Sequence, residues 1–304
     1  MSRSNLPLIE GAWIAERNRV LSGPALRKAF EEIGFAVLVD PPLEADSIDA
    51  LYAAVRAFFA LPEEVKLRYR LEGMGGQRGY TPFGVEHAKD REQPDLKEFW
   101  QFGPDQNPEV AEVPDFGVRG REVYRALEAI GTELMRALAM AFDGDPERFA
   151  ESVQGGESIL RPIHYPGLQH PEPGALRSAE HEDINAITLL MGASSGGLQL
   201  LGRDGNWFDA EVPAGALVIN VGDMLERLSG GQLKSTTHRV INTPEAYAGV
   251  SRFSIPFFLH FRADVLLVPP SDWSLDAPGL HAPLESPITA GSFLDQRLRE
   301  IGLK

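Results

Sequence analysis

From about Ser158 onward the chain runs in short stretches of Val, Ile, Leu, Phe and Thr, broken every few residues by Gly, Pro, Asn or Asp. This pattern restricts the fold more than any other feature. Ile159–Tyr165, Ala186–Met191, Gly197–Leu201, Trp207–Glu211, Ala216–Val221, Thr237–Ile241 and Arg252–Phe261 each have the length and composition of a strand. Between two of them, Arg203-Asp204-Gly205-Asn206 is a hairpin turn signal. Many short strands at close spacing bury their apolar faces by closing on one another, so residues 158–268 are expected to form a barrel or a double-sheet jelly roll.

The first 150 residues read as a mainly helical region. Apolar residues recur at three and four over Gly23–Gly34, Glu44–Leu61 and Val118–Phe142, the spacing of amphipathic helices. Phe35–Val39, an apolar run bounded by Gly34 and Pro41, suits a buried strand, and the glycine-rich, aperiodic Gly73–Glu86 suits a loop. A last helix is expected near Ser292–Ile301, within a C-terminal segment from 269 to 304. The expectation is one domain, mainly β with flanking helices, with no internal repeat.

At 304 residues such a domain can bury a sizeable core. The net charge of −15, spread along the chain, disfavours nucleic acid and anionic lipid as partners. With no cysteine, disulfides, thiolate ligands and iron–sulfur clusters are excluded, so any metal is held by nitrogen and oxygen. No stretch approaches the ~20 apolar residues of a membrane span, and the N-terminus lacks a signal-peptide run, so a cytoplasmic protein is expected.

His181-Glu182-Asp183 places an imidazole and a carboxylate two residues apart, which on a strand gives them one face while Glu182 takes the other. Alone, a His-x-Asp is commonly accidental. His238 stands 55 residues beyond Asp183, at the start of another expected strand. Two imidazoles and one carboxylate make a facial set that leaves half of a six-coordinate iron(II) open, room for O2 beside an electron-donating co-substrate. Arg252-Phe253-Ser254 repeats the alternation: Arg252 and Ser254 share a face, where a guanidinium and a hydroxyl suit the carboxylate of a small dicarboxylate. The plain alternative is a surface arginine with an acidic neighbour. Against it, SRFSIPFFLHF is too apolar for an exposed strand, and a buried arginine needs a partner.

With these residues in view, the chain resembles the isopenicillin N synthase-like Fe(II)/2-oxoglutarate-dependent dioxygenases along nearly its whole length. LPLIEGAW, AFEEIGFAVLVD and AFFALPEEVKLRY are similar to that family's N-terminal region, and RGYTPFGVE with DLKEFWQFG to its middle. HEDINAITLLMG, the segment from GGLQLLGRDGNW to KSTTHRV, and SRFSIPFF resemble its catalytic core in order. The resemblance implies a double-stranded β-helix, iron on His181, Asp183 and His238, and 2-oxoglutarate held distally by Arg252 and Ser254. It also implies co-substrate contact from Tyr165, which is otherwise an ordinary strand aromatic. The activity implied is oxidation of a small molecule by O2, with 2-oxoglutarate leaving as succinate and CO2.

Two features depart from the family pattern. His238 and Arg252 are 14 residues apart, with Asn242–Gly249 as the extra loop, and Ile163 replaces an asparagine common two residues before the tyrosine. Arg161 shares the parity of Tyr165 and is a pocket candidate, whereas His164 has the opposite parity. His260 shares the parity of Arg252 and Ser254, although a satisfied core histidine is the plainer reading; His170 and His281, in proline-rich stretches, read as surface residues. The rival functions are an Fe(II) oxidase of the same family that needs no 2-oxoglutarate, a zinc hydrolase and a silent binding protein. Gly73–Glu86, Lys97–Trp100 and the chain beyond Val268 are the candidate lid segments.

Overall fold

In a computed structural model, residues 6–16, 22–87, 93–168, 174–274 and 286–304 are described. The strands are β1 (Leu8–Glu10), β2 (Phe35–Val39), β3 (Gly79–Thr81), β4 (Glu98–Gln101), β5 (Ile159–Leu160), β6 (Ile163–Tyr165), β7 (Ser178–His181), β8 (Ile187–Met191), β9 (Leu198–Leu201), β10 (Trp207–Asp209), β11 (Leu217–Val221), β12 (His238–Val240) and β13 (Arg252–Leu259). The helices are α1 (Ala12–Glu16), α2 (Gly23–Glu32), α3 (Ala45–Phe59), α4 (Glu63–Leu67), α5 (Asp115–Ala141), α6 (Pro146–Glu151), α7 (Asp223–Leu228), α8 (Pro244–Tyr247) and α9 (Ala290–Glu300).

Two sheets form the core. The larger has the order β1-β2-β11-β8-β13-β6-β4-β3, with β5 also on β13, and the smaller has the order β10-β9-β12-β7. They pack face to face where Leu198 and Leu200 of β9 meet Val37 of β2 and Val218 of β11. This is the expected double-stranded β-helix, or jelly roll.

The alternation of β13 explains how helices and site share one sheet. Ile255, Phe257 and Leu259 join the apolar core that also holds Leu127, Ile130 and Leu134 of α5. Arg252, Ser254, Pro256 and Phe258, on the other face, line a cavity between the sheets. The 27-residue α5 covers the outer face because its apolar residues recur on one side.

The N-terminal region is less purely helical than its periodicity predicts. It supplies β1 and β2 to one end of the large sheet and β4 and β3 to the other. Phe35, Ala36, Val37 and Leu38 are all buried, because helices cover one side of β2 and the small sheet the other. Gly34 makes the turn into it at φ +75°, where a Cβ would lie 2.1 Å from the Lys234 carbonyl oxygen.

Three local expectations need correction. The loop predicted over Gly73–Glu86 contains β3, which pairs with β4. The extra loop Asn242–Gly249 contains α8. The strand carrying His181 ends at that residue, so Asp183 comes from the turn beyond it. No helix among the described residues is long and apolar enough to cross a membrane.

Candidate metal centre

β7 and β12 pair antiparallel with His181 opposite His238, which sets the two imidazoles side by side with ring centres 4.3 Å apart. Asp183 reaches the same point after a turn held by the Asp223 N–H, which donates to the Asp183 carbonyl oxygen at 2.7 Å. Its Oδ1 lies 3.9 Å from His181 Nε2 and 3.7 Å from His238 Nε2. One ligand atom from each of the three residues lies within 4.8 Å of the others.

Hydrogen bonds orient each group. His181 Nδ1 meets the Ala179 carbonyl oxygen at 2.7 Å and His238 Nδ1 meets that of Thr236 at 3.1 Å. A carbonyl only accepts, so Nδ1 is the donor and Nε2 of the neutral ring offers a lone pair to the shared point. Asp183 Oδ2 accepts from Thr188 Oγ1 at 2.6 Å and Asn220 Nδ2 at 2.8 Å, which leaves Oδ1 for a metal. Burial would raise the Asp183 pKa, but the two histidines and these two donors hold it below the ordinary carboxylate range. Burial first, and the charge of His238 second, push His181 down to about 4, so it is unprotonated at neutral pH.

The triad opens on a cavity of about 350 Å³. Tyr165 on β6 pairs in register with Arg252 on β13, and the guanidinium carbon lies 5.0 Å from the tyrosine ring centre. Arg252 is 2% exposed; its Nε donates to the carbonyl oxygens of Ser195 and Gly196, each at 3.2 Å, while its buried Nη1 has no partner. Ser254 is buried on the same face. An orphaned guanidinium donor beside a hydroxyl, across a cavity from two imidazoles and a carboxylate, fits a dicarboxylate with one end at a metal.

Two family descriptions match the chain. "Non-haem dioxygenase in morphine synthesis N-terminal" matches residues 6–119, and "2OG-Fe(II) oxygenase superfamily" matches residues 156–261. The chain belongs to the 2OG-Fe(II) oxygenase superfamily. A "2-oxoglutarate-dependent dioxygenase" of Didymella fabae is 31% identical over 267 residues, covering 80% of each protein. A 2OG-Fe(II) oxygenase family protein of Caulobacter crescentus, known from its crystal structure, is 40% identical with a TM-score of 0.85, over 98% of this chain and 99% of that one. A full-length Neurospora crassa protein solved with alpha-KG (2-oxoglutarate) is 28% identical, also with a TM-score of 0.85, over 97% and 95% of the two chains.

The oxygenase is thus a non-haem iron(II) dioxygenase with 2-oxoglutarate and O2 as co-substrates, as the sequence resemblance implies. Glu182, the only adjacent base for a zinc-hydrolase reading, is exposed at the cavity margin and accepts from Thr237 Oγ1 at 2.6 Å.

Several side chains at or behind the site carry no sequence motif. Thr188 and Asn220 hold Asp183, and the only signal for Asn220 is a lone amide inside the apolar run LVINV. Arg177 is 1% exposed, donates from Nη2 to the Val250 carbonyl oxygen at 2.9 Å and leaves Nε and Nη1 unpartnered. Burial first, then the charge of Arg252, lowers its pKa. Glu86 and Lys97 form an ion pair at 2.7 Å in the cavity wall.

Arg161 lines the cavity as its parity predicts, and His164 faces away, with Nδ1 2.7 Å from Glu98 and Nε2 3.0 Å from Ser251 Oγ. His260 departs from the satisfied-core expectation: it is buried, yet it lines the cavity and its Nδ1 has no partner. His170 and His281 lie outside the described residues. Of the candidate lid segments, Gln77, Glu86, Lys97, Leu294, Leu298 and Ile301 border the cavity.

Proposed function

We propose that His181, Asp183 and His238 hold the catalytic iron, and that Arg252, Ser254 and Tyr165 receive the distal carboxylate of 2-oxoglutarate. The oxygenase hydroxylates a small organic molecule bound in the rest of the cavity. The observation that carries the reading is the convergence of three ligand atoms at the wall of a cavity that also holds Arg252 with an orphaned donor. Iron and 2-oxoglutarate, when bound, supply the reduction of O2, the co-substrate leaving as succinate and CO2. The chain's own residues bind, orient and shield.

The two Nδ1–carbonyl bonds and the two donors on Asp183 Oδ2 keep the ligand atoms aimed at one point. Ile163, Leu190 and Phe258 keep the reacting region apolar, and Leu294 and Leu298 of α9 cover it. A small-molecule substrate is supported by the Neurospora crassa relative solved with alpha-KG and thymine, 27% identical with a TM-score of 0.83. We also read the chain as one oxygenase domain, since a single hydrophobic cluster includes Ile9, Leu134, Phe257 and Ala290.

The test is anaerobic addition of 2-oxoglutarate to the Fe(II) protein, followed by succinate release in air. A visible charge-transfer band and iron-dependent succinate are expected, with both lost in Asp183→Ala and the band weakened in Arg252→Met. Full succinate release by Asp183→Ala would overturn the ligand assignment.

A further inference from the structure

The cavity floor is the inner face of β13 and β6. Arg252, Ser254, Pro256 and Phe258 follow one another along it; Tyr165 pairs with Arg252 and Ile163 with Ser254, and the Arg161 N–H donates to the Pro256 carbonyl oxygen at 2.9 Å. At about 3.3 Å per residue, Arg161 is about 13 Å from Arg252 along the strand. The two arginines therefore mark different ends of one floor. His181 faces that floor from the other sheet, close enough to Glu86 and Lys97 to feel their charge.

Arg161 is held rigidly. Its Nε donates to Gln101 Oε1 at 3.0 Å and its Nη1 to the two oxygens of Glu86 at 3.2 and 3.1 Å, and the guanidinium lies 4.4 Å from the Phe99 ring centre and 5.1 Å from that of Phe258. Among the described residues its hydrogen bonds use Nε and Nη1, and Nη2 makes none. Glu86 also pairs with Lys97, which binds Asp95 at 2.8 Å. Burial opposes the charge on Glu86, but Arg161 and Lys97 overcome it and hold the carboxyl at about 2. The two cations and two anions of this cluster cancel, so it carries no net charge. His260, 4% exposed and two residues beyond Phe258 on the same face, adds a buried Nδ1 with no partner. Ile163, Pro256, Phe258 and Leu298 add an apolar surface, and Gln77, His87 and Arg297 also line the cavity, Arg297 paired with Asp223 at 2.6 Å.

We propose that the Arg161 end is the primary-substrate subsite and that it takes a neutral molecule presenting a carbonyl oxygen beside an N–H, as in a lactam, imide or carboxamide. This rests on the reading that the Arg252 end holds 2-oxoglutarate. Arg161 Nη2 donates to the carbonyl, and His260 accepts from the N–H once its ring turns to bring the orphaned Nδ1 to the cavity surface. A carboxylate would bring a negative charge to a buried cluster whose cations are already neutralised, and an ammonium would meet a guanidinium donor. Arg161 is thus a specificity-determining residue whose orientation is set by Glu86, Gln101 and the two rings.

The experiment titrates the anaerobic Fe(II)–2-oxoglutarate protein with uracil, 2-pyrrolidinone and benzamide, and with orotate, which is uracil bearing a carboxylate. Calorimetry and the change in the visible band report binding. At least one neutral probe is expected to bind and perturb the band, with orotate at least tenfold weaker than uracil. Arg161→Gln is expected to keep the band and the 2-oxoglutarate affinity while weakening the neutral probe at least tenfold; His260→Phe does the same and stands in if the first variant does not fold. Binding by none of the neutral probes, orotate equal to or tighter than uracil, or unchanged probe affinity in both variants overturns the proposal. A wild-type protein without the band overturns instead the co-substrate reading on which it rests.

Discussion

Removing the donors that hold Asp183 tests the centre without touching a ligand. Oδ2 accepts from Thr188 at 2.6 Å and from Asn220 at 2.8 Å, while Oδ1 faces both histidines. Thr188→Val keeps the shape and deletes one donor, and Asn220→Ala deletes the other. Both donors act with and without metal, so most of the roughly 1.5–3 kcal/mol of each charge-assisted bond cancels in the binding equilibrium. Proton competition is negligible at pH 7, because Asp183 starts well below that range.

What remains is orientation. A carboxylate free to turn must be immobilised by the metal, at about 0.5–1.5 kcal/mol per ordered side chain, and outer hydrogen bonds to metal ligands generally set affinity over about 10–100-fold. About tenfold weaker binding per variant, near 1.4 kcal/mol, is expected, and less than a hundredfold for the pair because both donors serve one oxygen. Anaerobic competition of Fe(II) or Mn(II) against a chromophoric chelator measures it, with a thermal melt to confirm folding. Unchanged or tighter metal binding in the folded double variant would refute the reasoning.

Lys66→Met breaks a buried pair, with Lys66 Nζ 2.7 Å from Glu98, and should cost about 3 kcal/mol in urea denaturation, the low end for such pairs because Tyr80 and His164 still bond Glu98; a loss under about 1 kcal/mol would contradict it. Burial first, and Arg161 second, lower the His260 pKa to about 4, against about 6.5 in the unfolded chain, so its neutral form supports folding above pH 6.5 and that support is lost as pH falls toward 4. The metal-loaded protein should lose about 2 kcal/mol from this group between pH 7 and 5, a loss absent from His260→Asn when the two are compared by denaturation. Gly222→Ala puts a Cβ 2.2 Å from the Asn185 carbonyl oxygen, so about 1–3 kcal/mol of stability and measurable metal affinity should go together, read by melt and chelator competition.

Long periodic segments were readable from the chain itself. α5 keeps one apolar stripe for 27 residues, and β13 alternates between core and cavity, so Arg252 and Ser254 are found where their parity puts them. β7 was not readable as a strand: Ser-Ala-Glu-His has little β preference and is ordered by pairing with β12. For the same reason Asp183 reaches the metal point by a turn, which strand alternation does not describe. Glu86 looks like one solvated acid among many, because its partner Arg161 is 75 residues away and only the fold brings them together. Local pattern carries periodicity; it does not carry charge neutralisation between distant segments.

Each imidazole is steered by the carbonyl two residues earlier in the chain, and the two rings meet only because His181 sits opposite His238. A slip of one position between these strands would turn one ring to the outside of the barrel and leave the other alone. If these residues hold iron as proposed, its capture acts as proofreading of strand alignment. A chain zipped one step out of place has no affinity to gain from the ion, while the correctly zipped chain is drawn further toward its native pairing by the one ion it binds.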